Sequence, residues 1–449
     1  MKRIALIGEN SVEYIDVLVG IWNSGNCAVL IDCQIPSQTA VEMMREAQVR
    51  KCYIEHKYYD KIYAVLDKNV ELIPYEKENT STRLLPTEIY DRFQENYSND
   101  EAVVIYSSGT TGKSKGIILS HFAININADA IIDYIQPEDG DCMYIVKNIT
   151  HSSSITGELL VALKTKMPLL IASVVVPPRI VLQNISKYGV TIIGANPLLL
   201  TMYCKEYESR NYDLSILKKI YVSGAILNDK TYETAHKVFR NQEIYNVYGL
   251  SEAGPRVTAQ RRDCSKGNSV GKAIKGVELI IVDESGNVVP NGERGIVHIN
   301  TPSRFNGYIQ GEAKHKSLYQ DWLNTGDIGH LDEHNELHII GRIDDMIVIG
   351  AHKIYPTEVE RRIQLAADVS ECVVAMVNFK GEDVLCCLYV SDKKIRADIK
   401  SILGASLMKY EIPKLFVRAD AIPKTRNGKI SSKDVNETIK RELEGRINV

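Results

Sequence analysis

The hydroxyls and glycines crowded into residues 107–115, S-S-G-T-T-G-K-S-K, suit one task, the holding of phosphate oxygens. Ser107, Ser108, Gly109, Thr110, Thr111 and Gly112 offer hydroxyls and unhindered backbone N–H groups that can wrap an anion, and Lys113 and Lys115 add charge. The run ends like a P-loop, in Gly112-Lys113-Ser114, but Ser107 stands where the first glycine belongs. A P-loop also needs a helix after it, because the phosphate sits at the helix N-terminus. Here "AVVIYS" before the loop and "GIILSH" after it are both β-branched and apolar, so the pattern predicts strand–loop–strand. The bland alternative is a flexible polar hairpin. A P-loop ATPase or kinase is disfavoured by the second strand and by the lack of a nearby apolar run ending in Asp.

Three further segments carry residues with chemical potential: "NVYGLSEAG" with Glu252, "LNTGDIGHLDEHNELHIIGRIDD" with Asp327 and Arg342, and "IPKTRNGKISSK" with Lys429. Singly, each has an ordinary reading as a helix N-cap, a charged surface hairpin or a solvated lysine.

The elements that must position these residues follow from run length and period. The 449 residues favour more than one domain, and 44% apolar and 25% charged residues are ordinary for a globular protein. Net charge is −3, which gives no basic balance for nucleic acid. The nine Cys are scattered without a C-x-x-C pair, which argues against zinc and for a reducing compartment. "MKRIALIGENSVEYIDVLVG" has no signal-length apolar run, and "MPLLIASVVVPP" is too short to span a bilayer, so the expectation is a cytoplasmic protein with no membrane insertion. "RIALIG", "CAVLID", "VELIPY", "AVVIYS", "GIILSH", "MPLLIASVVV" and "TIIGAN" read as strands, with "SVEYIDVLVGIWNSG" a helix between the first two. Alternating strands and helices indicate a layered α/β domain. From 270 to 343 the turn signals "DESGN", "PNGERG" and "DEHNE" separate short alternating runs, predicting a small β-rich subdomain. The expected division is therefore 1–343 for a large multi-sheet α/β domain and 344–449 for a small α+β domain containing a helix over "ADIKSILGASL". Residues 346–449 carry a net charge of +4, leaving −7 for the rest.

Taken in order, the motifs "YSSGTTGKSKG", "NVYGLSEAG", "TGDIGHLDEHNELHIIGR", "GRIDDMIVIGAHKIYPTEVE" and "IPKTRNGKISSK" resemble those of the acyl-adenylate-forming enzymes: acyl- and aryl-CoA synthetases, peptide-synthetase adenylation domains and luciferases. The resemblance covers nearly the whole chain. It departs at Ser114, where the family usually has Pro, and at Ser251, which replaces Thr and keeps the hydroxyl. Family members usually carry a further segment before the strand that "RIALIG" resembles, so edge packing or oligomer contacts are expected to differ here.

The resemblance implies an enzyme that uses MgATP to convert a carboxylic acid to acyl-AMP with release of pyrophosphate, then passes the acyl group to a thiol. By resemblance, Gly224, Ala225, Asn246, Gly249 and the loop residues line the nucleotide, Tyr248 stacks on adenine, and Ser251 reaches the α-phosphate. Glu252 holds Mg²⁺, Asp327 accepts the ribose hydroxyls, and Arg342 adds donors nearby. Lys429 is the adenylation lysine, Asp344 the hinge of a mobile C-terminal domain, and Gly350 part of the thiol tunnel. His151, Ser152, Asn196, Ser223 and Val247 are implied to line the acid pocket. Ser152 stands where amino-acid-activating domains place an Asp for the substrate ammonium, which argues for an aryl or fatty acid. Ser152–Ser154 either bond a ring hydroxyl or begin a helix. The basic C-terminal domain favours an acidic phosphopantetheinyl carrier protein as thiol donor, with coenzyme A the alternative. A catalytically inactive nucleotide-binding regulator is the remaining alternative, opposed by the retention of Glu252 and Lys429.

Overall fold

The computed structural model describes the chain apart from residues 79, 81, 108–113, 174, 175, 211, 262–268, 312–318, 320, 321, 350, 351, 380, 425–429 and 446–449. Two large sheets draw their strands from residues 3–273, with Gly307–Tyr308 added at one edge. In the seven-stranded sheet, Cys27–Asp32, Arg3–Gly8, Lys51–Glu55 and Glu71–Tyr75 run parallel, and Glu101–Ser107 joins Cys27–Asp32 in the same sense. Lys115–Ser120 then returns antiparallel to Glu101–Ser107, which is the strand–loop–strand arrangement read from the sequence. The reason is local: Ile117, Ile118 and Leu119 are buried on a pleated surface where β-branched side chains pack well. The helix a P-loop would need does form, but only after this strand, at His121–Ile135, where the Ser120 hydroxyl caps the Ala123 N–H at 3.0 Å.

The eight-stranded sheet has a parallel centre of Glu243–Gly249, Lys219–Val222, Ile192–Ala195, Met143–Ile145 and Leu169–Ala172. Arg256–Ala259 and Lys272–Ala273 extend it antiparallel at one edge. The main core draws on both sheets and on the helices Val12–Asn23 and His121–Ile135. Val12–Asn23 buries Tyr14, Ile15, Leu18, Val19 and Trp22, the stripe expected of a 3.6-residue period. Its Trp22 indole N–H donates to the Ala102 carbonyl at 3.1 Å, tying the helix to the strand that leads into the phosphate loop.

The β-rich subdomain is a four-stranded antiparallel sheet of Glu278–Val282, Gly295–Asn300, Leu323–Leu331 and Leu337–Arg342. At the end of the chain, Glu371–Phe379, Glu382–Val390 and Leu415–Arg418 form a three-stranded sheet with apolar clusters on both faces. Alternation sends Cys372 and Val374 towards helix Pro356–Ala366, and Val373 and Val377 towards helix Ser432–Gly445. Of the helix read over 397–407, only Ile399–Leu403 forms, because the segment reaches Gly404 after two buried anchors, Ile399 and Leu403. No helix among the described residues is long and apolar enough to cross a membrane.

Candidate active site

Asn196, Ser223, Gly224, Ala225 and the run from Asn246 to Glu252 lie at the C-terminal ends of parallel strands of the eight-stranded sheet, where open α/β sheets bind ligands. Strand Glu243–Gly249 delivers Asn246, Val247 and Tyr248. Gly249 is required at its end: a Cβ there would stand 2.0 Å from the Pro255 carbonyl oxygen. The Tyr248 hydroxyl donates to Asp327 Oδ2 at 2.5 Å, and Arg342 Nη1 lies 3.5 Å from Asp327 Oδ1. Burial, reinforced by the Asp327 charge, raises the Tyr248 phenol well above its ordinary range, so it remains a donor. Asp327 and Arg342 are cross-strand partners in the four-stranded sheet, which fixes their approach. The Asp327 N–H donates to Thr325 Oγ1 at 3.1 Å, and the Thr325 hydroxyl donates to the Val297 carbonyl at 2.8 Å.

Glu252 follows in the short 3₁₀ turn Ser251–Ala253. Its carboxylate accepts from the Tyr308 hydroxyl at 2.9 Å, and Lys115 Nζ lies 5.4 Å from the centre of the Tyr308 ring. Tyr308 sits on the edge strand beside Lys115–Ser120, so it links the strand leaving the phosphate loop to Glu252. Sequence reasoning missed Tyr308: its neighbours in "FNGYIQG" carry no signal, and only sheet pairing brings it to Glu252. Ser107 ends the strand before the loop. Ser108, Gly109, Thr110, Thr111, Gly112, Gly350 and Lys429 lie outside the described residues. Asp344 is exposed in the 3₁₀ turn Ile343–Asp345, between Leu337–Arg342 and Ile347–Ile349.

On the side implied for the acid, His151 precedes the helix Ser152–Ser154, which continues as the π-helix Ile155–Leu160. The serines thus begin a helix, one of the two readings open in the sequence. The Ser152 and Ser251 hydroxyls are 2.9 Å apart, joining the segment implied for the acid to the one implied for the α-phosphate. Asn196 Oδ1 caps helix Pro197–Ser209 by accepting from Leu199 N–H at 2.8 Å. Asn246 Nδ2 donates to the Ser269 carbonyl at 2.9 Å. Ser223 and Val247 are buried, whereas Gly224, at φ +94°, and Ala225 are exposed just beyond strand Lys219–Val222.

This combination of two α/β layers, a β-rich subdomain, a small α+β end and an aromatic–carboxylate–arginine set at strand ends defines an adenylate-forming architecture. The model of the AMP-binding enzyme family matches residues 1–309, and that of the AMP-binding enzyme C-terminal domain matches 358–429. The chain is 26% identical to 4-coumarate–CoA ligase 1 of Petroselinum crispum over 97% of its length and 84% of the relative's. It is also 26% identical to a 2-succinylbenzoate–CoA ligase of Bacillus cereus, over 98% of the chain and 89% of the relative. Its fold matches ATP-bound MatB from Rhodopseudomonas palustris with a TM-score of 0.86 and 23% identity, over 98% of this chain and 89% of that one. The chain belongs to the AMP-binding enzyme family. It is an AMP-forming acid–thiol ligase, using ATP to convert a carboxylic acid to its acyl-adenylate.

Proposed function

We propose that this enzyme activates a non-amino carboxylic acid and transfers the acyl group to coenzyme A. Two linked sets, Tyr248–Asp327–Arg342 and Glu252–Tyr308, start four residues apart at the end of one strand, and this observation supports the reading of the first step. The Tyr248 ring offers a flat face for adenine, and Asp327 keeps acceptor capacity for the ribose hydroxyls. Glu252 fits Mg²⁺: its carboxylate is a hard oxygen ligand already oriented by a phenol donor. When bound there, the ion would neutralise phosphate charge. Ser251 would reach the α-phosphate, and the Ser152 hydroxyl lies against it at 2.9 Å. Lys429 supplies a positive charge that holds the acid's carboxylate against the α-phosphorus, offsetting the repulsion of two anions. The carboxylate oxygen attacks phosphorus and pyrophosphate leaves. The thiol sulfur then attacks the acyl carbon and AMP departs. Residues 344–449 turn about Asp344 between these steps.

The acceptor is where the reading changes. A basic C-terminal domain favoured an acidic carrier protein, but coenzyme A is itself anionic, and the named relatives are CoA ligases of ring-bearing acids. Those names support coenzyme A over a carrier and fit the absence of an Asp at Ser152. The test has two parts. ATP–pyrophosphate exchange over a panel of aryl, fatty and amino acids should respond to non-amino acids, and robust exchange with an α-amino acid alone would refute the pocket reading. Thioester formation is then compared between free coenzyme A and pantetheinylated carriers. Turnover with a carrier and none with coenzyme A would restore the carrier reading.

A further inference from the structure

We propose that Arg256 receives a second anionic group, a carboxylate, at the far end of the acid that this site activates; the proposal rests on the adenylation reading above. Arg256 begins the strand Arg256–Ala259, four residues beyond Glu252, and is 2% exposed. Its Nε and Nη2 are buried with no hydrogen-bond partner among the described residues. The Glu158 carboxylate beside it forms an ion pair through Oε1 with Lys147 at 2.8 Å. The guanidinium carbon lies 5.6 Å from the centre of the Tyr221 ring, and Lys147 Nζ lies 5.2 Å from the same ring. The cluster therefore holds two cations and one anion out of water, an arrangement that calls for one more negative charge.

Its position ties this charge to the acid. Tyr221 lies on strand Lys219–Val222, which Ser223 directly follows, and Gly157 is five residues beyond Ser152 in one helical run. Arg256, which borders Gly157, thus stands about one helical turn along this run from the Ser152–Ser251 contact. Glycines let these charged groups pack close: a Cβ at Gly157 would meet Arg256 Nη2 at 3.1 Å, and one at Gly194 would meet Glu158 Oε1 at 2.5 Å. A planar fork of N–H donors matches a carboxylate in two-point contact, whereas a plain alkyl or phenyl tail would seal the guanidinium away unpaired. The expected substrate class is a short dicarboxylic acid, activated at one end and held at the other.

The test pairs adipate with hexanoate and terephthalate with 4-methylbenzoate, measuring binding by calorimetry and turnover by pyrophosphate exchange. The wild-type enzyme should favour each diacid at least 50-fold. Arg256→Gln should abolish that preference, and Arg256→Lys should restore part of it. If Arg256→Gln does not fold, the wild-type preference and the Arg256→Lys variant decide the matter. A wild-type enzyme that exchanges hexanoate or 4-methylbenzoate as well as the diacids overturns the proposal and leaves adenylation standing. Diacid binding that depends on Arg256 without any exchange upholds the subsite and overturns the adenylation reading. Stimulation of mono-acid turnover by added formate, with no advantage for the diacids, would assign Arg256 to a separate small anion and also overturn it.

Discussion

Tyr248 and Asp327 are 79 residues apart in sequence and 2.5 Å apart in the fold, so each restricts the other's rotamer before any nucleotide arrives. A hydrogen bond to a charged acceptor is worth about 1.5–3 kcal/mol, more than a neutral pair. Tyr248→Phe keeps the ring but releases Asp327. It should raise KM for ATP about tenfold while changing kcat little, as read from steady-state exchange; an unchanged KM would mean that Asp327 is held without the phenol. Lys429 makes a sharper demand. If it joins two anions for attack at phosphorus, Lys429→Ala should slow acyl-adenylate formation by at least about 100-fold. Thioester formation from preformed acyl-AMP should change only a few-fold. Single-turnover assays of the two steps separate these outcomes, and near wild-type adenylation would remove Lys429 from the reaction.

Among the elements, helix Pro356–Ala366 carries a titrating contact with the sheet beneath it. The Glu360 carboxylate accepts from the Val374 N–H at 2.8 Å, but burial pushes its pKa up to about 7 against an ordinary 4.5. The folded chain thus keeps a proton that the unfolded chain releases between pH 4.5 and 7. Stability falls as pH rises through that window and levels off above it. Glu360→Gln retains an acceptor without the charge. It should leave the melting temperature near pH 4.5 unchanged and raise it by a few degrees at pH 8, a gain on the order of 2 kcal/mol. An equal shift at both pH values would point to packing rather than ionisation. Such contacts mark the limit of what the sequence discloses. "GIILSH" was legible as a strand because its signal is local: β-branched residues in a short run. The same holds for "RIALIG", "CAVLID" and the helix after Ser11. Tyr308 against Glu252, and Arg256 against Tyr221, are products of sheet register, and no spacing in the chain announces them. The π-helix Ile155–Leu160 was hidden as well, since "ITGELL" has the composition of any buried helix.

At the scale of the molecule, charged pairs fasten the C-terminal unit to the rest of the chain. Arg361 reaches Asp229 at 2.6 Å, Lys230 reaches Asp368 at 3.4 Å, and Arg294 reaches Glu358 at 2.7 Å. All are partly exposed, and such pairs contribute about 0.2–1 kcal/mol each and weaken with salt. Latches of this size suit the turn of residues 344–449 proposed above: together they bias an equilibrium by roughly tenfold rather than locking it. Asp229→Arg sets two like charges together and should favour release. The step that uses the present arrangement should slow about three- to tenfold relative to the other, and small-angle scattering should register a broader distribution of dimensions. Adding Arg361→Asp restores an opposite pair and should recover both measurements. Raising ionic strength should mimic the single variant in the wild-type enzyme while changing the double variant similarly. Rates and dimensions that ignore both the charge reversal and the salt would show that these pairs carry no share of the orientation, and that apolar packing along the interface holds the unit instead.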